Sequence, residues 1–448
     1  MHPTRRQVLE ASIGVAGAAT LTSLLRAAKA SSSEPTDPHR RFVFAYFLGG
    51  WDAIHCIDPK DPSVYDDSTA TVQSMGVEIG HRQLGLTPDQ AYRETDVEGL
   101  FLGHFVGDEM RELASQMAVI RGMTVSSVDH GAGSVHAMTG RAPAGTNPRG
   151  SSLCTIFAAA LGEEDLIPNL VSGIRAFNLD HPKYASGMGA SSYSDLMNIL
   201  GPGLTSLEPA ERGALETFFA KEKERLENPR MGDILSIRRS SRTLVDEEIG
   251  EFFNPENALN SDVVADYTNN AGGLMSNAFV AHQAITQGIS RCVTIRATPN
   301  LDQHFGSGWT TTHGPFMQGG FNTVSRLAKV LAQTEHEPTG DSWLDHTTIV
   351  CASEFNRSPA LNSSGGRDHA TNNCMLLLGG GIRHGAVIGE SHPIRMAAQR
   401  IDPTTGLVDA ESGMSIEHEN VARTLLESIG ITEDIADLRA ESIPALLA

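Results

Sequence analysis

Positive charge is scarce in this chain: 34 lysines and arginines stand against 54 aspartates and glutamates, a formal net charge of −20. No run of Lys or Arg offsets the deficit, which excludes a protein that holds nucleic acid by neutralising its phosphates. Cysteine is scarce too. Cys56, Cys154, Cys292, Cys351 and Cys374 are odd in number and widely spaced, with no C-x-x-C, so they supply neither a disulfide framework nor a zinc knuckle. No apolar run reaches the roughly 20 residues that a membrane-spanning helix needs. Gly49-Gly50 and Gly379-Gly380-Gly381 lack the G-x-G-x-x-G spacing of a dinucleotide site, and no G-x-S-x-G elbow of a serine hydrolase occurs. Internal repeats and low-complexity tracts are also missing.

What is present is ordinary globular composition, 40% hydrophobic and 20% charged, over 448 residues. That length exceeds what one core usually serves, so one large domain with insertions, or two lobes, is expected. Residues 1–30 read as an address label. Arg5-Arg6 precedes a weakly apolar stretch, 11–25, and Ala28-Lys29-Ala30 has the small-x-small pattern of a cleavage site. The segment resembles a twin-arginine export signal, which implies a periplasmic or secreted protein. Cleavage after Ala30 removes Arg5, Arg6, Arg26, Lys29 and Glu10, leaving 30 basic and 53 acidic residues, a charge of −23. Residues 31–40 are polar and proline-containing and read as a linker to a domain over 41–448.

Short apolar runs at 41–48, 117–120, 292–295, 347–351 and 374–378 read as buried strands. Helix-like stretches at 274–288, 321–334 and 416–429 lie between or after them. Buried strands alternating with helices predict an α/β fold, a three-layer sandwich around a largely parallel central sheet. Residues 205–260 are charge-rich and lack strand-like runs, which predicts a helical insertion.

In open α/β sheets ligands collect beyond the carboxyl ends of the strands. Three predicted strand exits carry metal-ligand residue types: Asp52 after Gly49-Gly50-Trp51, Asp302 with His304, and Asp368 with His369. Carboxylates and imidazoles of this kind are the materials of a divalent metal centre, and they suit Zn, Mn, Mg or Ca. Glu354, just past the apolar run at 347–351, needs compensation if buried, from a metal, Arg357 or Arg367. Arg367, beside Asp368, presents a fork that fits the oxygens of a phosphate or sulfate ester, or else a salt bridge to Glu354. His313 and His384, on glycine-flanked loops, are further candidate ligands, and His136 is either a packed helix residue or part of the site.

The order of these elements resembles the DUF1501 family. The resemblance rests on Leu48-Gly49-Gly50-Trp51-Asp52, Asp302-x-His304, the segment from Ser353 to Pro359 (SEFNRSP), Gly365-Gly366-Arg367-Asp368-His369 and Leu378-Gly379-Gly380-Gly381-Ile382. It covers most of residues 41–430, and the family is similar in layout to the alkaline phosphatase and sulfatase superfamily. The resemblance implies an exported two-metal hydrolase of phosphate or sulfate esters, acting on a small-molecule or polysaccharide ester. Asp52, Asp368 and His369 would hold one cation, and Asp302 and His304 would contribute to the second. Counting back from Thr139-Gly140-Arg141 places His130 where the superfamily keeps its nucleophile. No cysteine opens the x-P-S-R segment that sulfatases use, while Ser126, Ser127 and Ser134 are the nearby hydroxyls. A histidine at 130 can be a metal ligand, a phosphoryl acceptor or a general base. The competing reading is a non-catalytic exported binding or scaffold protein that retains the fold.

Overall fold

The structure, a computed structural model, describes residues 37–162, 165–200, 217, 249–267, 274–431 and 438–448. The expected signal segment, most of the linker and most of the expected helical insertion lie outside the described residues. Among those described, no helix is long and apolar enough to cross a membrane.

Eight strands build one sheet: β1 (Arg41–Phe47), β2 (Met117–Thr124), β3 (Asn169–Ser172), β4 (Met188–Ala190), β5 (Cys292–Arg296), β6 (Thr347–Ser353), β7 (Asn372–Gly379) and β8 (Ala386–Ile388). Their spatial order is β8-β2-β7-β6-β1-β5-β3-β4. Only β7 runs against its neighbours, antiparallel to β2 and β6, and every other pairing is parallel. The expected α/β sandwich with a largely parallel sheet is therefore what the chain forms. The reversal of β7 matters for the site. It makes β7 begin at the edge where β1, β2, β5 and β6 end, so the segment leading into β7 joins the exits of four parallel strands.

The apolar run of β1 is buried on both faces, as a central parallel strand requires. Val43, Ala45 and Phe47 face one core cluster and Phe42, Phe44 and Tyr46 the other. Helices α1 (His130–Thr139), α2 (Leu153–Leu161) and α5 (His418–Ser428) cover the Phe42 face, and α3 (Met275–Thr286) and α4 (Gly314–Gln333) cover the Phe47 face. Phe42 stacks on Phe157 with ring centroids 4.1 Å apart, and Phe47 meets Phe321 at 4.7 Å. Each such buried ring contributes on the order of 2 kcal/mol. All five cysteines are buried and free.

Several histidines are folded into this core uncharged. Burial depresses His136 and His282 to about 4, and burial with the neighbouring His136 depresses His418 to about 3. An unfolded chain titrates its histidines near pH 6.5, so between about 6.5 and 4 it takes up protons that the folded chain refuses. Stability held above pH 6.5 is thus lost on acidification, at about 1.4 kcal/mol per pH unit for each such histidine. The midpoint of thermal unfolding is expected to fall steadily from pH 6.5 to 4, and His282→Gln to flatten that slope. A midpoint that stays level or rises on acidification contradicts the assignment.

Candidate metal centre

The site lies at the edge where β1, β2, β5 and β6 end. Beyond β1, Gly49 turns with φ 106°, and a Cβ there would stand 2.4 Å from the Leu301 nitrogen. Only glycine lets this turn pack against the loop after β5 that carries Asp302. Beyond β2, Asp129 caps α1 by accepting from the Ala132 N–H at 2.8 Å, which sets His130 at the first helical position. Gly133 then brings α1 against β6: a Cβ on it would be 3.0 Å from the Glu354 Cβ. His369 reaches the same place from the short antiparallel pairing with Arg357 that precedes β7.

These elements gather His130, Asp302, His304 and His369, each offering one ligand atom, all within 4.8 Å of one another. The centre of the group is Asp302 Oδ1. It lies 3.1 Å from His130 Nε2, 2.9 Å from His304 Nε2 and 3.6 Å from His369 Nε2, and accepts from Arg357 Nη2 at 2.9 Å.

The far nitrogen of each ring is already engaged. His130 Nδ1 is 2.9 Å from Glu354 Oε1, His304 Nδ1 is 3.2 Å from Asp368 Oδ1, and His369 Nδ1 is 2.6 Å from the Val128 carbonyl. Carboxylate and carbonyl oxygens only accept, so all three Nδ1 atoms carry hydrogens. In the neutral form that a metal ligand takes, the rings turn Nε2 lone pairs toward one another and toward a carboxylate. His130 Nε2 and His369 Nε2 are buried, and apart from the Asp302 carboxylate they meet no hydrogen-bonding group of the protein. Lone pairs facing an anion repel, and a cation between them removes the conflict. Fixed Nδ1–H tautomers backed by carboxylate or carbonyl are also the usual surroundings of metal-bound histidine. The donor set of three imidazoles and one carboxylate fits a divalent cation.

The charges are arranged accordingly. Burial opposes ionisation of Asp302, yet Arg357 and His130 outweigh it and hold this carboxyl below its usual range. Burial likewise pulls His130 down, but Glu354 and Asp302 on either side raise it overall. Burial and the charge of Arg357 lower His369. Glu354, fully buried, is satisfied by the Gly49 N–H at 2.7 Å, the Tyr46 hydroxyl at 2.8 Å and His130, rather than by Arg357 or Arg367 as the sequence suggested. Arg357 instead anchors the chain around the site, donating to the carbonyls of Gly49, Gly50 and Leu301 and to Asp302.

Three expected residues sit elsewhere. Asp52, expected to share a cation with Asp368 and His369, is 1% exposed and faces Arg367 Nε at 2.9 Å and Trp309 Nε1 at 3.0 Å. Arg367, expected as an anion clamp or a partner of Glu354, is wholly buried on Asp52 and four backbone carbonyls, so it has no face to offer a substrate. Asp368 stands behind His304, with its side chain 60% exposed, and accepts from Asn362 Nδ2 at 3.0 Å. The nearby hydroxyls have other partners: Ser134 Oγ with Tyr46, Ser127 Oγ with the Asp129 N–H, and Ser126 Oγ with His136 Nδ1 at 3.0 Å. His384 Nε2 bonds the Gly379 carbonyl and His313 Nδ1 the Leu301 carbonyl. Val128, a backbone acceptor with no side-chain signature, is the participant that sequence reasoning misses.

The bond from Glu354 to His130 yields a prediction. Glu354→Gln keeps the shape of the side chain but removes the charge that fixes the His130 tautomer. Affinity for a divalent cation, measured by competition with a chelating dye, is expected to fall about 10- to 100-fold. An unchanged affinity in the folded variant would show that His130 needs no such support.

The family model described as a protein of unknown function (DUF1501) matches residues 257–431, the stretch that carries Asp302, His304, Arg357, Arg367, Asp368 and His369. A comparison with curated proteins gives no match. Among solved structures, the chain is similar to Ps i-CgsB at 11% identity and TM-score 0.37, covering 91% of this chain and 76% of that one. The same protein has been solved in complex with k-i-k-neocarrahexaose. Alkaline phosphatase from the Antarctic bacterium TAB5 matches at 10% identity and TM-score 0.34, over 90% of this chain and 100% of that one. A protein of the alkaline phosphatase superfamily from Vibrio parahaemolyticus matches at 10% identity and TM-score 0.30, over 82% and 70%. At such identities and scores no activity passes from these proteins to this chain, and its chemistry rests on its own residues.

Proposed function

We propose that this protein is an exported, metal-dependent hydrolase of phosphate or sulfate esters, acting on a small-molecule or polysaccharide ester. The observation that carries the reading is the convergence of three Nε2 lone pairs on the Asp302 carboxylate, each ring held from behind by a fixed acceptor. Export is supported by Arg5-Arg6 ahead of an apolar stretch and by Ala28-Lys29-Ala30.

His130, Asp302, His304 and His369 would hold the cation, which when bound supplies Lewis-acid polarisation of an ester oxygen or acidifies water. The remaining work belongs to the chain. Glu354, Asp368 and the Val128 carbonyl orient the rings, and Arg357 fixes the Asp302 carboxylate between the turn after β1 and the loop after β5. The N-terminus of α1, at His130, turns the positive end of a helix dipole toward the group and favours an anionic substrate there.

A side-chain nucleophile is disfavoured. Ser126 has a histidine partner, but burial alone depresses His136 to about 4, with no carboxylate to support the imidazolium that proton transfer would create. Tyr46 is pushed well above its ordinary range by burial and by Glu354, so it serves as a hydrogen-bond donor. With His130 committed as a ligand, the reading is of attack by water.

The test is metal analysis of the freshly purified protein, followed by assays on aryl phosphates, aryl sulfates and a sulfated oligosaccharide. Turnover of at least one ester class is expected, lost by about 100-fold or more in Asp302→Asn together with the bound metal. A folded, metal-loaded protein inert on the whole panel would favour the non-catalytic binding reading instead.

A further inference from the structure

We infer that the centre takes one divalent cation rather than two, and that the Arg367 guanidinium occupies the place beside Asp52 that a second cation would need. This rests on the metal-dependent reading above.

A second cation beside Asp52 would have to displace a buried ion pair. The four Nη hydrogens of Arg367 each find a carbonyl, Nη1 those of Ser358 and Pro359 at 2.8 Å and Nη2 those of Glu78 and Ile79 at 2.7 and 2.8 Å, while Nε forms an ion pair with Asp52 Oδ2 at 2.9 Å. Its guanidinium also lies 5.0 Å over the Trp309 ring. Residue 367 is fully buried and residue 368 turns outward, so the expected partners Asp52 and Asp368 face different surroundings.

The corner around Asp52 does contain unmet acceptors. His55 Nε2 bonds the Ile79 carbonyl and His313 Nδ1 the Leu301 carbonyl, so both carry hydrogens there. His55 Nδ1, His313 Nε2 and Asp52 Oδ1 are left as buried acceptors without a donor in the protein. Three such groups could suggest a cation. Their charges argue otherwise: the one carboxylate is already neutralised by Arg367, and both rings are backed only by carbonyls, whereas at the Asp302 group the carboxylates of Glu354 and Asp368 stand behind His130 and His304 and add the negative charge a dication needs. A dication there would stand in a buried space with its charge uncompensated. A neutral donor the size of water satisfies the acceptors without that penalty. Their ligand atoms also fail to close into a compact set: among the described residues, His130, Asp302, His304 and His369 form the one group that does.

The experiment is stoichiometry on the full-length chain. The protein is stripped with a chelator, titrated with Zn²⁺ by calorimetry, and its retained metal is counted by mass spectrometry after desalting. One equivalent per chain is expected, retained in Asp52→Asn and lost in Asp302→Asn. Two tight equivalents on the wild-type chain, or an exchange-coupled pair in the electron paramagnetic resonance spectrum after Mn²⁺ loading, would overturn the inference and leave the metal-dependent reading standing. No binding at all would overturn both. Because the wild-type count decides the question, a failure of Asp52→Asn to fold does not remove the test.

Discussion

One carboxylate oxygen cannot sit among three imidazole lone pairs unless something positive lies between them. Asp302 Oδ1 is in that position, with the Arg357 guanidinium on one side and three ring nitrogens around the rest. The conflict is built in by the surroundings rather than by the ligands themselves. Were the rings free to rotate, each could turn an N–H toward Asp302 and the strain would vanish. Glu354, Asp368 and the Val128 carbonyl prevent it by claiming the Nδ1 hydrogens. A proton on an Nε2 or a bound cation can answer the demand, and the two compete, as they do at histidine-ligated metal sites generally.

The fold supplies this arrangement through one irregularity in an otherwise parallel sheet. Four strands end at the site edge, and strand β7 begins there because it alone is reversed. Ligands from both sides of a strand boundary can thus meet: His130 and Asp302 follow strands, while His369 precedes one. Close packing completes the geometry. Gly133 allows α1 to lie on Glu354, and Gly49 allows the first turn to rest on the loop of Asp302. A side chain at either position would separate groups that must remain within about 3 Å to hydrogen-bond.

Much of this was legible beforehand, and the reasons for the rest are physical. Buried runs such as 41–48 and 347–351 announced strands, and polar residues just past them announced a site, because function gathers at strand exits. Asp302, His304 and His369 were singled out this way, and the structure brings them together. The sequence could not say which of Arg367 and Asp368 would point inward, since neighbouring residues in extended chain face opposite sides and either orientation fits the pattern. Arg367 took the interior, and Asp52 went with it. Nor could the sequence join His130 to Glu354, 224 residues away, because hydrogen-bond partners of a buried carboxylate are fixed only by packing. The Val128 carbonyl leaves no mark in the sequence at all.

The two corners of this edge differ in how their positive charge is held. At Asp52 it is covalently part of the chain: a guanidinium keeps its proton at any working pH and cannot be drawn off by a chelator. The turn after β1 and the loop around Arg367 are therefore fastened whatever the solution contains. At Asp302 the guanidinium of Arg357 reaches the carboxylate and, at 3.4 Å, His304 Nε2, while the Nε2 atoms of His130 and His369 still require a mobile charge. A site whose frame is fixed by arginine while its reacting corner depends on an exchangeable ion keeps its shape when that ion leaves. Preorganisation of this kind lowers the cost of rebinding, because the ligands do not have to be gathered again.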